Sequence, residues 1–141
     1  MSGPVLPDYA GFLAVLSDIL METAGTPLQL QLRDEGLLRS AFARPRHLAA
    51  YGPEPHPCEA AAALAFGISR NHPLVDGNKR AAAAAFLITL LLNGLRLDVT
   101  QTALAETFES LADGALDEAG LAQWARDNTV SDRRFSKPSG A

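Results

Sequence analysis

Residues 72–80 read HPLVDGNKR, the densest run of chemically capable side chains in the protein. An imidazole, a carboxylate, a carboxamide, an ammonium and a guanidinium fall within nine positions, around a glycine. Asp76-Gly77 is a turn signal and Asn78 can cap a following helix, which accounts for three of these residues without any ligand. Lys79 and Arg80 do not fit that reading. Cations in a first helical turn oppose the helix dipole and are unfavourable unless an anion is present. A helix N-terminus preceded by glycine is a phosphate site, because backbone N–H groups converge there. On that second reading Lys79 and Arg80 neutralise phosphates. Asp76 takes a magnesium ion, which typically uses one or two carboxylates plus phosphate oxygens and waters. His72 suits a base that accepts a proton from an attacking hydroxyl, because the intrinsic pKa of an imidazole lies near neutrality. Residue types alone leave the capped turn and the phosphate site both open.

The elements that position this run are helical. From Ala81 to Leu92 only Thr89 carries a polar group, so the following helix is apolar all round and belongs in the centre of a bundle. It is too short to span a bilayer, which needs about 20 apolar residues, and Asn93-Gly94 ends it. Before it, a helix is expected from about Asp8 to Thr23, with Phe12, Val15, Leu16, Ile19 and Leu20 on one stripe. Residues 28–32 alternate apolar and polar but have no evident strand partner, and read as loop. A second helix opens at Arg33-Asp34-Glu35, turns Leu37, Leu38, Ala41 and Phe42 inward, and is expected to stop at Pro45. Residues 45–57 then read as a Pro-rich surface loop. A third helix runs from Pro57 towards Asn71 with Ala61, Leu64, Ala65 and Ile68 inward. Thr100 and Asp117 cap two more helices, which carry Leu104, Phe108 and Leu111, and then Leu121 and Trp124. The expected fold is all-α: one compact bundle of about six helices around a buried central helix from Asn78 to Asn93. Its domain spans residues 1–130, with 131–141 as a flexible C-terminal tail.

Composition sets outer limits. The chain has 141 residues and a formal net charge of −4, so no global charge draws it to nucleic acid or to an anionic membrane. Cys58 is the only cysteine, which excludes an internal disulfide and fits a reducing compartment. No basic n-region precedes an apolar segment, and a cytoplasmic location is expected. Neither GxxxxGK[ST] nor GxGxxG occurs, so Walker-type and ordinary kinase machinery is excluded.

The run at 72–80 resembles the signature HPFx[DE]GNxR of the Fic superfamily, with Leu74 where Phe is usual. Its GNKR form, the Ala-rich helix ending in Leu-Asn-Gly, and the segments Arg33-Asp-Glu-Gly-Leu-Leu, Ala43-Arg-Pro and Ser69-Arg-Asn-His-Pro are similar to the death-on-curing (Doc) toxins. The resemblance covers most of residues 8–128. It implies His72 as base, Asp76 as magnesium ligand, and Gly77, Asn78, Lys79 and Arg80 as the nucleotide cradle, with Lys79 and Arg80 also acting in catalysis. AMP-transferring relatives usually carry Gly where this chain has Lys79, and a second Arg where it has Ala83. The implied activity is therefore that of a toxin–antitoxin toxin which moves the γ-phosphoryl of ATP to a hydroxyl of a protein, elongation factor Tu, and arrests translation. AMP transfer, or a decayed module that only binds its antitoxin, are the alternatives. The self-inhibitory motif [ST]xxxE[GN] of many Fic enzymes is absent, the nearest approach being Thr102-Ala-Leu-Ala-Glu106-Thr107. Restraint by a Phd-like or similar antitoxin is the implied partner.

Other chemically capable residues read as structural. His47 and His56 lack paired ligand spacing, Cys58 lacks a partner base, and Trp124 lies on a helical stripe. Arg44 and Arg46 belong to the expected surface loop or its edge, while Arg70 and Asn71 border the polar run.

Overall fold

The computed structural model describes residues 3–132. In chain order these form α1 (Tyr9–Ala24), α2 (Leu28–Gln31), α3 (Glu35–Tyr51), α4 (Pro57–Asn71), α5 (Asn78–Leu92), β1 (Leu95–Leu97), α6 (Gln101–Asp113), α7 (Glu118–Asn128) and β2 (Thr129–Ser131). Short side chains start most of the helices, because each helix leaves its first N–H groups unpaired. Asp8 accepts from Gly11 N at 2.9 Å, Asp34 from Leu37 N at 3.2 Å, Thr100 from Ala103 N at 3.0 Å and Asp117 from Gly120 N at 2.7 Å. At α4 the cap is His56, whose Nδ1 accepts from Cys58 N while the Glu59 carboxylate accepts from His56 N, a reciprocal capping box. His56, read from sequence as a loop residue, is thus a helix cap.

The all-α bundle stands, and centrality is shared between two helices. Helix α5 buries Ala81, Ala82, Ala85, Phe86, Thr89 and Leu90 on one face, and Thr89 Oγ1 donates to Ala85 O at 2.7 Å, so its hydroxyl is satisfied. Helix α4 is more enclosed still: Cys58, every residue from Ala60 to Ala65, Gly67 and Ile68 are buried, and α3, α5, α6 and α7 pack around it. Small residues allow that close approach. A Cβ on Gly67 would lie 2.7 Å from Arg44 Cδ and 3.0 Å from Ala41 Cα, so α3 and α4 touch almost backbone to backbone there. Midway along α5, Phe86 packs against Phe108 with centroids 5.3 Å apart and against Trp124 at 6.2 Å, so the partly buried Trp124 packs against the core.

Three expectations need correction. Pro45 does not stop the second helix; α3 continues through it to Tyr51. A proline inside a helix costs about 3 kcal/mol, but Pro45 lies on the same stripe as buried Leu38, Ala41 and Phe42 and is itself buried. The Arg46 side chain donates to Phe42 O at 3.1 Å, one residue beyond the Ala41 carbonyl that Pro45 leaves without its i+4 donor. Residues 28–32 are no loop: Leu28–Gln31 form one helical turn, and Leu32 makes a bridge with Leu74. Finally, β1 and β2 form an antiparallel pair, Leu95 opposite Ser131 and Leu97 opposite Thr129, so Ser131 belongs to the fold and not to a tail. The remainder of the expected tail, from residue 133, lies outside the described residues. No helix of the described residues is long and apolar enough to cross a membrane.

Candidate active site

The polar run forms the connection between α4 and α5, and the fold holds it from three sides. Helix α4 ends at His72, whose backbone is left-handed at φ 50° and ψ 56°. It is the one non-glycine residue with positive φ among those described. Such a conformation is uncommon for a non-glycine residue, although histidine tolerates it better than most. Arg33 stabilises it by donating from Nε and Nη2 to His72 O at 2.9 and 2.6 Å, and from Nη2 to Asn71 O at 3.2 Å. A guanidinium on the last carbonyls of a helix is favourable for both hydrogen bonding and the dipole. Asn71 in turn donates to Leu37 O at 2.9 Å, tying the end of α4 to α3.

The second support is the α2 segment. Arg33 N and Asp34 N both donate to Pro73 O, and Val75 N donates to Gln31 O at 2.6 Å. The Gln31 side chain accepts from Asp76 N at 3.2 Å. Arg33 and Gln31 therefore shape the loop although neither belongs to the polar run. The third support is core packing beneath it. Leu74, 1% exposed, anchors the loop in the core. Gly77 adopts φ 94°, and a Cβ there would come within 2.9 Å of Leu20 Cδ2. Glycine is required at 77 by conformation and by space.

Helix α5 begins one residue earlier than a capped turn would allow. Its N-cap is Gly77, which has no side chain to offer, so no side-chain cap bond is made. Asn78 is turned inward, only 8% exposed, and its carboxamide is fully used. Oδ1 accepts from Leu74 N at 3.0 Å, while Nδ2 donates to Leu74 O at 2.9 Å and contacts His72 Nδ1 at 3.0 Å. Any contribution of Asn78 to an anion site is therefore left to its backbone N–H.

These residues border an open cleft of about 540 Å³, which Ser69, His72, residues 75–80, Glu109, Ala112 and Asp113 line. His72, Asp76, Lys79 and Arg80 are all exposed to it. All of the site residues singled out from sequence thus meet at one cleft. Sequence reading missed Glu109, which accepts from Lys79 Nζ at 2.7 Å across the cleft from α6. That hydrogen bond and the carboxylate's charge raise the Lys79 pKa, so the ammonium stays charged. Arg80 makes no ion pair among the described residues and is available to an anion.

Asp76 is the sole carboxylate in the connection, and its Oδ1 accepts from Gly77 N at 2.9 Å. No group of three or more His, Cys, Asp or Glu residues able to hold a metal occurs among the described residues. This donor set cannot cage an ion alone. It fits magnesium arriving with phosphates, which needs only one or two protein carboxylates.

A larger cleft, about 720 Å³, lies elsewhere between α3, α4 and α7 and includes His47, Tyr51, Glu54 and Glu59. Its main charges are already engaged, Arg44 with Glu118 and Glu59 with Arg126. Size does not make it the chemical site.

The fold and the cleft define an all-helical domain with a polar helix-to-helix crossing at its open cleft. A sequence model of the Fic/DOC family matches residues 9–90, and the chain belongs to that family. It is also 48% identical over 71 residues to the protein Toxin Doc of Mycolicibacterium smegmatis. That alignment covers 49% of this chain and 54% of the relative, so the chain spans about half the length of the curated relative it matches.

Proposed function

We propose that this protein is the toxin of a type II toxin–antitoxin pair and transfers a phosphoryl group from ATP to a hydroxyl of a protein target. Elongation factor Tu is the target to which the family resemblance points, and arrest of translation is the consequence. The observation that carries the reading is the pairing of Lys79 with Arg80 in the first turn of α5, beside exposed His72 and Asp76 in one cleft. Glu109 offsets the Lys79 charge, whereas Arg80, with no ion pair among the described residues, opposes the dipole unless an anion occupies the cleft. Phosphoryl transfer depends mostly on positioning and charge neutralisation, which these residues are equipped to supply. The relative's name, Toxin Doc, supports the toxin assignment.

In this reading the free N–H groups at the start of α5 and the Arg80 guanidinium receive phosphate oxygens. Lys79 exchanges its Glu109 carboxylate for a phosphate oxygen. Asp76 would hold magnesium, which supplies charge neutralisation and orientation of the phosphates when bound. His72 takes the proton from the attacking hydroxyl. Lys79 and Ala83 stand where AMP-transferring relatives carry Gly and Arg, and they count against AMP transfer. The intact set of His72, Asp76, Lys79 and Arg80 counts against a decayed binding module.

Expression in a bacterial host tests the toxin assignment. The chain alone should halt growth, co-expression with the product of the neighbouring gene should restore it, and His72→Ala should be harmless while remaining folded. Normal growth with abundant, soluble, folded protein would overturn the assignment.

A further inference from the structure

The Asn78 carboxamide has only one orientation that satisfies its surroundings. Leu74 N can only donate, so the atom 3.0 Å from it is the amide oxygen, and Leu74 O can only accept, so the atom 2.9 Å from it is the amide nitrogen. Exchanging oxygen and nitrogen would set two acceptors and two donors against each other. The second N–H of the same nitrogen faces His72 Nδ1 at 3.0 Å, and that ring nitrogen must accept. A neutral imidazole with an accepting Nδ1 carries its proton on Nε2.

We propose that Asn78 is a positioning residue that fixes neutral His72 as the Nε2–H tautomer and keeps its basic lone pair on Nδ1, covered by the Asn78 amide. The inference deepens the proposed function, on which its catalytic meaning rests, but the tautomer itself does not depend on that function. Three features make the lock specific. The His72 backbone is held by Pro73 on one side and by the Arg33 guanidinium on its carbonyl. Asn78 is buried in the first turn of α5, so its amide has little freedom to turn away. Both amide N–H groups and the amide oxygen are engaged, so no spare donor or acceptor competes for the ring.

The consequence concerns which atom does what. In the resting cleft His72 meets a ligand as a donor through Nε2–H, suited to a phosphate oxygen or a hydroxyl oxygen. Acceptance of a proton from the target hydroxyl breaks its O–H bond and forms Nδ1–H. The ring is left as a cation with a proton on each nitrogen, and the oxygen's freed electron pair forms the new bond to the γ-phosphorus as the bond to the β,γ-bridging oxygen breaks and ADP leaves with that electron pair. The exposed His72 ring must first turn away from the Asn78 N–H for this to occur, because one lone pair cannot take both protons and the amide itself is pinned by its two bonds to Leu74. Asn78 thereby governs when His72 becomes a base, without touching the nucleotide through its side chain.

Nitrogen-15 NMR on the full chain reads the tautomer directly, and only His47, His56 and His72 contribute. The spectrum is recorded above the imidazole titration range, with assignments from single histidine replacements. His72 should show one tautomer, protonated at Nε2. His56, whose Nδ1 accepts from Cys58 N at 3.0 Å, should show the same pattern and serves as the internal reference. Exposed His47 supplies the averaged pattern of an imidazole exchanging between tautomers. In Asn78→Ala the His72 shifts should move to the averaged pattern while His56 stays fixed. In Asn78→Asp, a carboxylate facing Nδ1 should invert the tautomer to Nδ1–H. A wild-type His72 that is averaged or protonated on Nδ1 overturns the proposal, even if neither variant folds. So does an unchanged His72 in folded Asn78→Ala. A locked Nε2–H tautomer in a protein with no transfer activity would instead refute the proposed function and leave this inference standing.

Discussion

Gly77→Ala is the substitution whose effect can be worked out most fully. At φ 94° an L-residue with a Cβ is strained, by about 1–2 kcal/mol for a left-handed conformation. The added methyl would lie 2.9 Å from Leu20 Cδ2, and Leu20 is 1% exposed, so it has no open space into which to move. Forcing an extra carbon into a packed interior costs about 1–3 kcal/mol. The total is about 2–5 kcal/mol, large against a typical stability of about 5–15 kcal/mol. Urea unfolding of the purified variant should show a lower midpoint with an unchanged slope. A second variant separates the two causes. Leu20→Ala alone should cost about 2–5 kcal/mol, but it removes the atom that clashes. In the double variant the clash vanishes and the backbone strain remains, so the combined loss should fall short of the sum by about 1–3 kcal/mol. Strict additivity, or a Gly77→Ala variant within about 0.5 kcal/mol of wild type, would refute the claim that core packing shapes the turn at Gly77.

Asp76→Asn should suppress transfer and raise the magnesium concentration needed for half-maximal rate, with partial rescue by added metal; an unchanged magnesium titration would remove Asp76 as a ligand. Glu109→Gln keeps the shape but weakens the hold on Lys79, and should lower the KM for ATP by freeing that ammonium for phosphate; a raised KM would mean that Glu109 aligns Lys79 instead of competing for it. The His56 cap gives a pH dependence. Desolvation, with the nearby Arg126 guanidinium, lowers the His56 pKa below its ordinary 6.5. The folded state thus binds this proton less readily than the unfolded chain. The contribution is complete above pH 6.5 and is lost as pH falls from there through the folded-state pKa. Thermal melts of wild type and His56→Ala should differ most above pH 6.5 and converge in acid; a gap that widens in acid would contradict the cap.

Much of this arrangement was legible because it is local. Asp8, Thr100 and Asp117 start their helices through bonds spanning three residues, and the apolar stripes follow a fixed period. The polar run could be read for the same reason, since nine consecutive residues place its groups within reach of one another. What escaped depends on distant partners. Leu95–Leu97 is too short to announce itself, and it becomes a strand only because Thr129–Ser131 lies beside it. Pro45 is tolerated because its ring is buried with Phe42, a tertiary gain that outweighs a local rule. Gln31 and Arg33 grip the loop through backbone groups about 40 residues away in sequence, for which no spacing rule exists. Asn78 looked like a cap because its type suits one. Gly77 takes that place, and the Asn78 side chain turns to His72 instead.

The central claim is the identity of the transferred group. Purified protein, elongation factor Tu, ATP and magnesium should be incubated together, and the target then weighed intact by mass spectrometry, with His72→Ala in parallel. Addition of a single phosphoryl group by the wild type, and none by the variant, is the predicted result. Addition of AMP, or an unmodified target with a folded and growth-arresting enzyme, would contradict it.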